Sequence, residues 1–400
     1  MTSPDDPIKL WGLLLQPQTA PLLDALQRDP EITSSNLMRL RKDWDASLIN
    51  VAIELLRARV KARAKFTNTD RLVADVVGME QASSELVALH KAQRFASIQP
   101  DRIVDLCCGI GGDAMSLQPV APVLAIDADP LRAWMAGENA QCDTESRDVQ
   151  TFSLNDAVFH LDPSRRDESS TNPRRHWRFE EYQPGPEYIA QLLRDNHDGA
   201  IKLGPGVDLE ALEKLTSIPM EIEIINERGT LTQAVLWSGK LAFNPGRRTA
   251  TMLSEDSQVV QFTGTPQNPE FGELKNWIHA IDPALERAGL MGTLAQELGM
   301  ASLHPQLGLL TSERNLESPW LTSFRVEKEM PWRLKNVKAW LQSEQAGIVE
   351  VKTRGGAVNP DKVQAQLRGG GTQAFTVFVL RFGAKVRALC CRRANSLSQV

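Results

Sequence analysis

Apolar residues along this chain follow three successive patterns. Up to about residue 95 they recur at helical spacing. Leu10, Leu13, Leu14 and Leu15 open an apolar stretch, and Leu37, Leu40, Trp44 and Leu48 repeat near one turn apart. Ala52 to Lys65 is rich in Ala, Leu and Arg, all good helix formers, and a further helix is expected to open at Glu80 and run to Phe95. From about residue 96 the pattern shortens to runs suited to buried parallel strands: Ile103–Leu106, Val123–Ile126, Asp156–Leu161 and Gly199–Leu203. Arg147-Asp148-Val149 is expected to end a third strand, and Asp129-Pro130 to start a helix reaching Asn139. Met220–Ile225 and Leu231–Trp237 alternate and pair as an antiparallel hairpin. The expectation over residues 96–265 is a doubly wound α/β sheet with a closing antiparallel strand.

Residues 266–324 read as a connector, helical over Phe271–Ile281 and Pro283–Leu298 and then irregular. Residues 325–400 give the order βαβαββ, which suggests a small ferredoxin-like α+β layer. Charge sharpens this division. The net charge is −5, yet residues 325–400 carry 14 Lys and Arg against 5 Asp and Glu. That stretch therefore holds +9 and the rest of the chain −14. A compact basic module on an acidic body points to an anionic partner, because the local field steers association.

Other bulk features mainly exclude. No apolar run is long enough to cross a bilayer, so no membrane partner is expected. The acidic opening MTSPDDPIKL lacks the basic start of a secretory signal. The five cysteines form two adjacent pairs, Cys107-Cys108 and Cys390-Cys391, plus Cys142. That spacing fits neither zinc nor a disulfide framework, so no metal and a reducing cytoplasm are expected. Oligomeric state leaves no mark in the sequence.

The chemistry concentrates between Asp101 and Asp129. A strand ends at Leu106, and Gly109, Gly111 and Gly112 follow, where a backbone turns sharply and admits a ligand without Cβ atoms in the way. A second strand ends at Asp127, placed to accept hydrogen bonds from two ribose hydroxyls. Gly109-x-Gly111-x-x-Ala114 satisfies the dinucleotide fingerprint formally, but Asp105 lies inside the first strand. A carboxylate there suits a ligand with an ammonium and a sulfonium better than a pyrophosphate. S-adenosylmethionine has both. The run Asp105 to Gly112 resembles motif I of class I RNA methyltransferases, cap trimethylguanosine synthases among them; Cys107 stands where those carry Phe, leaving that wall less bulky. Asp148 is the candidate for the adenine amino group.

A second signal is Asp162-Pro163-Ser164-Arg165, at the carboxyl end of the fourth strand, where open α/β sheets place reactive groups. Amino-methylating enzymes carry an acid or amide, two prolines and an aromatic here; this chain has Arg165 for the aromatic. Carbon-5 uridine methyltransferases carry Asp-Pro-Pro-Arg but need a cysteine nucleophile farther along, and none occurs between Cys142 and Cys390. Arg165 to Tyr182 reads as a basic loop with Trp177 and Phe179 interleaved, which suits phosphates and bases. Lys202 and Asp208, beside the fifth strand, are candidates for the same crevice.

Taken together, Leu106 to Asp113, Ala125 to Pro130, His160 to Asp167, Ile201 to Asp208 and the basic C-terminal stretch resemble the bacterial class I methyltransferase-like proteins with a THUMP-like domain. The resemblance covers about Phe66 to the end. It implies a Rossmann-like methyltransferase domain joined to an RNA-binding-like module. The leading expectation is S-adenosylmethionine-dependent methylation of RNA at a base nitrogen, with Asp162, Pro163 and Arg165 at the reacting amine. Asp105, Cys107, Gly109, Gly111, Asp127 and Asp148 are then the cofactor residues, and Arg166, Lys202 and Asp208 the substrate residues. The alternatives are a methyltransferase of a protein or small molecule, and a non-catalytic RNA-binding protein.

Overall fold

The computed structural model describes residues 6–29, 31–165, 179–195, 198–215, 217–256, 258–304 and 307–394. The chain divides into two compact units, the first holding residues 1–227, 232–246 and 255–257, the second residues 247–254 and 258–400 with the short stretch 228–231.

The first unit opens with helices α1 (Pro7–Leu14), α2 (Ala20–Arg28), α3 (Ser34–Leu40) and α4 (Ala46–Ala62). The periodic run from Leu37 to Leu48 is broken, because Asp45 accepts from the Ser47 N–H and starts a new helix. The helix expected from Glu80 is likewise two helices, α5 (Val76–Gln81) and α6 (Glu85–Ala96), with Ser84 capping the second. These helices are not a separate layer. Leu22, Ile49, Leu55 and Met79 share one buried cluster with Ile110 of the glycine turn and with Met135.

Strands β1 (Ile103–Leu106), β2 (Val123–Asp127), β3 (Asp143–Ser146), β4 (Val158–Leu161), β7 (Gly199–Leu203), β8 (Glu221–Glu227) and β9 (Thr230–Ser238) build the sheet. Within this unit the order is β8-β9-β7-β4-β1-β2-β3. Pairing is parallel from β3 through β7, and β9 lies antiparallel to β7. The third strand ends at Ser146, short of Asp148. Helices α7 (Ala114–Leu117), α8 (Pro130–Ala140), α9 (Pro186–Arg194) and α10 (Leu209–Glu213) connect the strands, and the two-residue strands β5 (Ser164–Arg165) and β6 (Tyr182–Gln183) form a small antiparallel pair.

The second unit holds the antiparallel pair β10 (Arg248–Leu253) and β11 (Val259–Gly264), then β12 (Trp277–Ile281), β13 (Ala301–Ser302), β14 (Leu309–Ser312), β15 (Leu321–Pro331), β16 (Ala346–Arg354), β17 (Gln373–Phe382) and β18 (Lys385–Arg393). Its helices are α11 (Pro283–Arg287), α12 (Met291–Leu298), α13 (Leu334–Ser343) and α14 (Pro360–Leu367). The connector expectation is corrected here. Trp277–Ile281 is a strand, and β12, β13 and β14 belong to a seven-stranded sheet, β13-β14-β12-β15-β18-β17-β16. The boundary expected at residue 325 falls inside β15. Along β17, Phe375, Val377 and Val379 pack with α13 and α14, whereas Phe378 and Leu380 pack with Ile278, Leu309 and Phe324. One strand therefore serves two cores, through the two-residue period of its side chains.

Candidate functional site

The site forms at the carboxyl ends of β1, β2, β4 and β7. The turn after β1 is held from below. Asn139 on α8 donates from Nδ2 to the carbonyls of Val73 (2.9 Å) and Ile110 (2.8 Å). Arg132 makes a bidentate pair with Asp75, at 2.7 and 2.8 Å. Cys107 and Gly109 both take positive φ, +57° and +55°. Nothing lies within 4 Å of the position a Cβ would occupy on Gly109. Gly111 differs: its φ is +82°, and a Cβ there would meet the Ala136 Cα at 2.9 Å. Gly109 thus leaves space for a ligand, and Gly111 lets α8 approach.

Asp127 ends β2 with both oxygens engaged from one side, Oδ2 accepting from the Gly109 N–H and Oδ1 from the Asp129 N–H, each at 2.9 Å. Burial pushes its carboxyl up, and these two backbone bonds oppose the shift. Each oxygen retains acceptor capacity for a second donor.

Asp105 is 1% exposed. Its Oδ1 lies 2.7 Å from Nδ1 of His160, its registered neighbour on β4. Its Oδ2 is buried with no hydrogen-bond partner among the described residues. Burial raises this carboxyl, with the His160 bond opposing. Behind His160 lies a second pair: Lys91 Nζ is 3.1 Å from His160 Nε2 and 2.6 Å from Asp113 Oδ1. Ser83 donates to Asp113 Oδ2 at 2.8 Å. Asp113 is held well below the usual carboxylate range: burial opposes this, but Lys91 beside it and the nearby Lys202 hold it down.

Asp162 follows β4, its N–H bonded to the Leu106 carbonyl at 3.1 Å. Lys202 on β7 donates to Asp162 Oδ2 at 2.6 Å and to the Gln81 carbonyl at 3.3 Å. Burial works to lower the Lys202 ammonium, but Asp162, Asp113 and Asp105 outweigh it and hold it above the ordinary lysine value. Pro163 is buried. The segment after it is latched in place: Ser164 and Arg165 pair with Gln183 and Tyr182, and the buried Tyr182 hydroxyl accepts from the Gly204 N–H at 2.8 Å.

Cys107 marks the convergence. Burial raises its thiol first, and then the charges of Asp127, Asp162, Asp105 and Asp148 add to the shift, so acids from four positions act on one side chain. That thiol stays protonated and supplies no nucleophile. Asp148 is exposed and caps a short 3₁₀ turn through the Gln150 N–H at 3.0 Å. Tyr188 is beside it, bonded to the Val149 carbonyl at 3.0 Å. Asp208 does not join the crevice contacts. It is exposed and caps α10, accepting from the N–H groups of Glu210 and Ala211. Arg166 and the rest of the basic loop through Arg178 lie outside the described residues. Sequence reasoning assigned no site role to Lys91, Asp113, His160, Tyr182 or Tyr188; of these, Asp113, directly after Gly112, and His160, two residues before Asp162, lay inside the motifs.

A parallel sheet closed by an antiparallel strand, a glycine turn after β1 and an acid ending β2 define a class I methyltransferase domain. Comparison with known proteins agrees. Over 325 residues the chain is 32% identical to an uncharacterized S-adenosylmethionine-dependent methyltransferase of Mycobacterium tuberculosis, covering 78% of this chain and 87% of that one, and the match recurs in two strains. The crystal structure of a Porphyromonas gingivalis W83 protein, described provisionally as a methyltransferase, superposes with a TM-score of 0.74 at 18% identity, over 94% of this chain and 98% of that one. Residues 321–393 match the family described as THUMP domain-like. The chain belongs to the S-adenosylmethionine-dependent methyltransferases, with a THUMP-like domain in its second unit. S-adenosylmethionine is the cofactor of that family, and the residues present fit it: an open cradle over Gly109, an acid with spare acceptors at Asp127 and a buried unpartnered oxygen on Asp105. Among the described residues no cluster of His, Cys, Asp and Glu could hold a metal ion, and no helix is long and apolar enough to cross a membrane.

Proposed function

We propose that this methyltransferase acts on RNA, at an exocyclic amino nitrogen of a base. The carrying observation is Asp162 at the end of β4, one oxygen engaged by Lys202 and Oδ1 without a partner among the described residues. S-adenosylmethionine, when bound, supplies an electrophilic methyl carbon on a sulfonium. Asp127 accepts from the ribose hydroxyls, Asp105 Oδ2 accepts from the ammonium, and Gly109 keeps the floor clear. Cys107 lines the space among these acids, and Asp148 takes the adenine side.

Asp162 Oδ1 and the Pro163 carbonyl accept the two amine hydrogens, which turns the nitrogen lone pair towards the electrophile. Lys202 stays charged, so it fixes the Asp162 carboxylate rather than acting as a base. Arg165 and Arg166 follow directly in the chain and supply guanidinium groups for the nucleic acid. RNA as the partner is favoured by the THUMP-like match and by the charge of +9 in residues 325–400. Within it Lys335, Lys338, Arg354 and Arg368 are all exposed.

The test is transfer of a labelled methyl group into total RNA, followed by mass spectrometry of the nucleosides. Label in an amino-methylated nucleoside, lost on prior ribonuclease treatment, is the expected result. Label that enters only protein or small molecules removes RNA as the substrate.

A further inference from the structure

Asp105 lies in an arrangement that the cofactor role alone does not require. A buried carboxylate ordinarily has both oxygens hydrogen-bonded, and an unsatisfied one is destabilising. Here one oxygen is bonded by a fully buried histidine, and the other has no partner among the described residues. The histidine is in turn fixed from behind. Asp113 is ionised, so Lys91, 2.6 Å away, is its ammonium partner and has only protons to offer. At 3.1 Å from Lys91 Nζ, His160 Nε2 must therefore be the acceptor, and the ring proton sits on Nδ1, facing Asp105. The contacts running from Asp113 through Lys91 and His160 to Asp105 thus place a ring proton on Nδ1.

A cationic group beside Asp105 Oδ2 would meet a buried carboxylate oxygen that has no donor of its own among the described residues.

We propose that His160 is the positioning residue for the amino-acid end of the cofactor: it takes one oxygen of Asp105 by a fixed Nδ1–H bond and so presents the other to the ligand ammonium. This rests on the reading of Asp105 as a cofactor residue. Lys91 and Asp113 act one step further back by setting the tautomer. The glycine turn and Asp127 hold the adenosine end independently of this chain.

The two ends are separable by ligand. S-adenosylhomocysteine carries the amino acid group, and methylthioadenosine carries the same nucleoside without it. Calorimetry on the full-length protein compares both ligands in three variants. Asp105→Asn is expected to weaken S-adenosylhomocysteine by about 10- to 100-fold, the loss for a charge-assisted bond, and to leave methylthioadenosine unchanged. His160→Phe keeps the ring but no donor, and should reproduce that selective loss at roughly 10-fold. His160→Asn returns an N–H near the Nδ1 position and should restore affinity to within about threefold of the parent.

If Asp105→Asn keeps its preference for S-adenosylhomocysteine, the cofactor role of Asp105 itself is wrong. If Asp105→Asn loses it but His160→Phe does not, the positioning role alone is overturned. Equal loss of both ligands in His160→Phe would make the histidine a structural group, which also overturns the proposal. Nitrogen-15 NMR of histidine-labelled parent protein gives a check that needs no variant to fold. A neutral ring protonated at Nδ1 is expected for His160; an Nε2–H tautomer or an imidazolium refutes the assignment.

Discussion

Gly109 and Gly111 both adopt positive φ in the same turn, yet their surroundings predict opposite consequences for one added methyl group. An alanine at either position meets the left-handed backbone penalty, about 1–2 kcal/mol. At Gly109 nothing else changes, because no atom lies within 4 Å of the new Cβ. At Gly111 the Cβ would sit 2.9 Å from the Ala136 Cα, 3.1 Å from its Cβ and 3.2 Å from its carbonyl oxygen. These are mostly backbone atoms of a helix tied by Asn139 and Arg132, so they cannot rotate aside, and overpacking adds about 1–3 kcal/mol. Gly111→Ala should therefore cost about 2–5 kcal/mol, and Gly109→Ala about 1–2 kcal/mol. In thermal melts, at about 2–4 °C per kcal/mol for a unit of this size, that is a drop of roughly 4–20 °C against roughly 2–8 °C. Affinity should reverse the order. The Gly109→Ala methyl enters the space assigned to the cofactor and should weaken S-adenosylhomocysteine by about 10- to 100-fold, while Gly111→Ala, at temperatures where it is folded, binds nearly normally. A Gly109→Ala protein that binds like the parent, or that melts as low as Gly111→Ala, refutes the reasoning.

Three other outcomes follow from the geometry. Asp162→Asn keeps an acceptor for Lys202, so S-adenosylhomocysteine affinity should hold while single-turnover methylation falls by about 100-fold or more; equal loss of both would make Asp162 a cofactor residue. Changing Lys335, Lys338, Arg354 and Arg368 to Ala together should weaken RNA binding and flatten its log–log salt dependence by about 1 for each phosphate no longer neutralised, with cofactor affinity intact; an unchanged slope would exclude these groups as phosphate ligands. Burial holds His279, between Ser312 and Ser323, down at about 4 against an ordinary 6.5. The unfolded chain then takes up the proton first, so this group's contribution to stability is complete above pH 6.5 and is lost progressively as pH falls towards 4. His279→Asn should show a smaller melting-temperature drop across that window, and an equal drop would place the acid sensitivity elsewhere.

What the sequence revealed about the site was what is local. The glycine turn, the acid ending β2 and Asp162-Pro163 each occupy a few consecutive residues whose types follow from one backbone feature. The sheet was legible for the same reason, since each buried strand is a short apolar run. The support behind the site was not. Lys91 meets His160 across 69 positions and Ser83 meets Asp113 across 30, and nothing in a buried lysine's neighbours along the chain names its partner. Asp208 misled because an acid after a strand serves equally well as a helix cap, and here it caps α10. Trp277–Ile281 misled because five mixed apolar residues fit either period, and only pairing on both sides with β14 and β15 decides it.

The cross-strand contact between Asp105 and His160 also bears on how such a protein can drift. The two positions are 55 residues apart in the chain, but each is the buried environment of the other. A relative that replaces the histidine by a residue without a donor leaves a carboxylate stranded in the interior, and one that replaces the aspartate strands the imidazole proton. Either change alone is a fitness valley; the pair must be crossed in one step or bridged by an amide that can serve both states. Divergent descendants should therefore carry these two sites as a single inherited character.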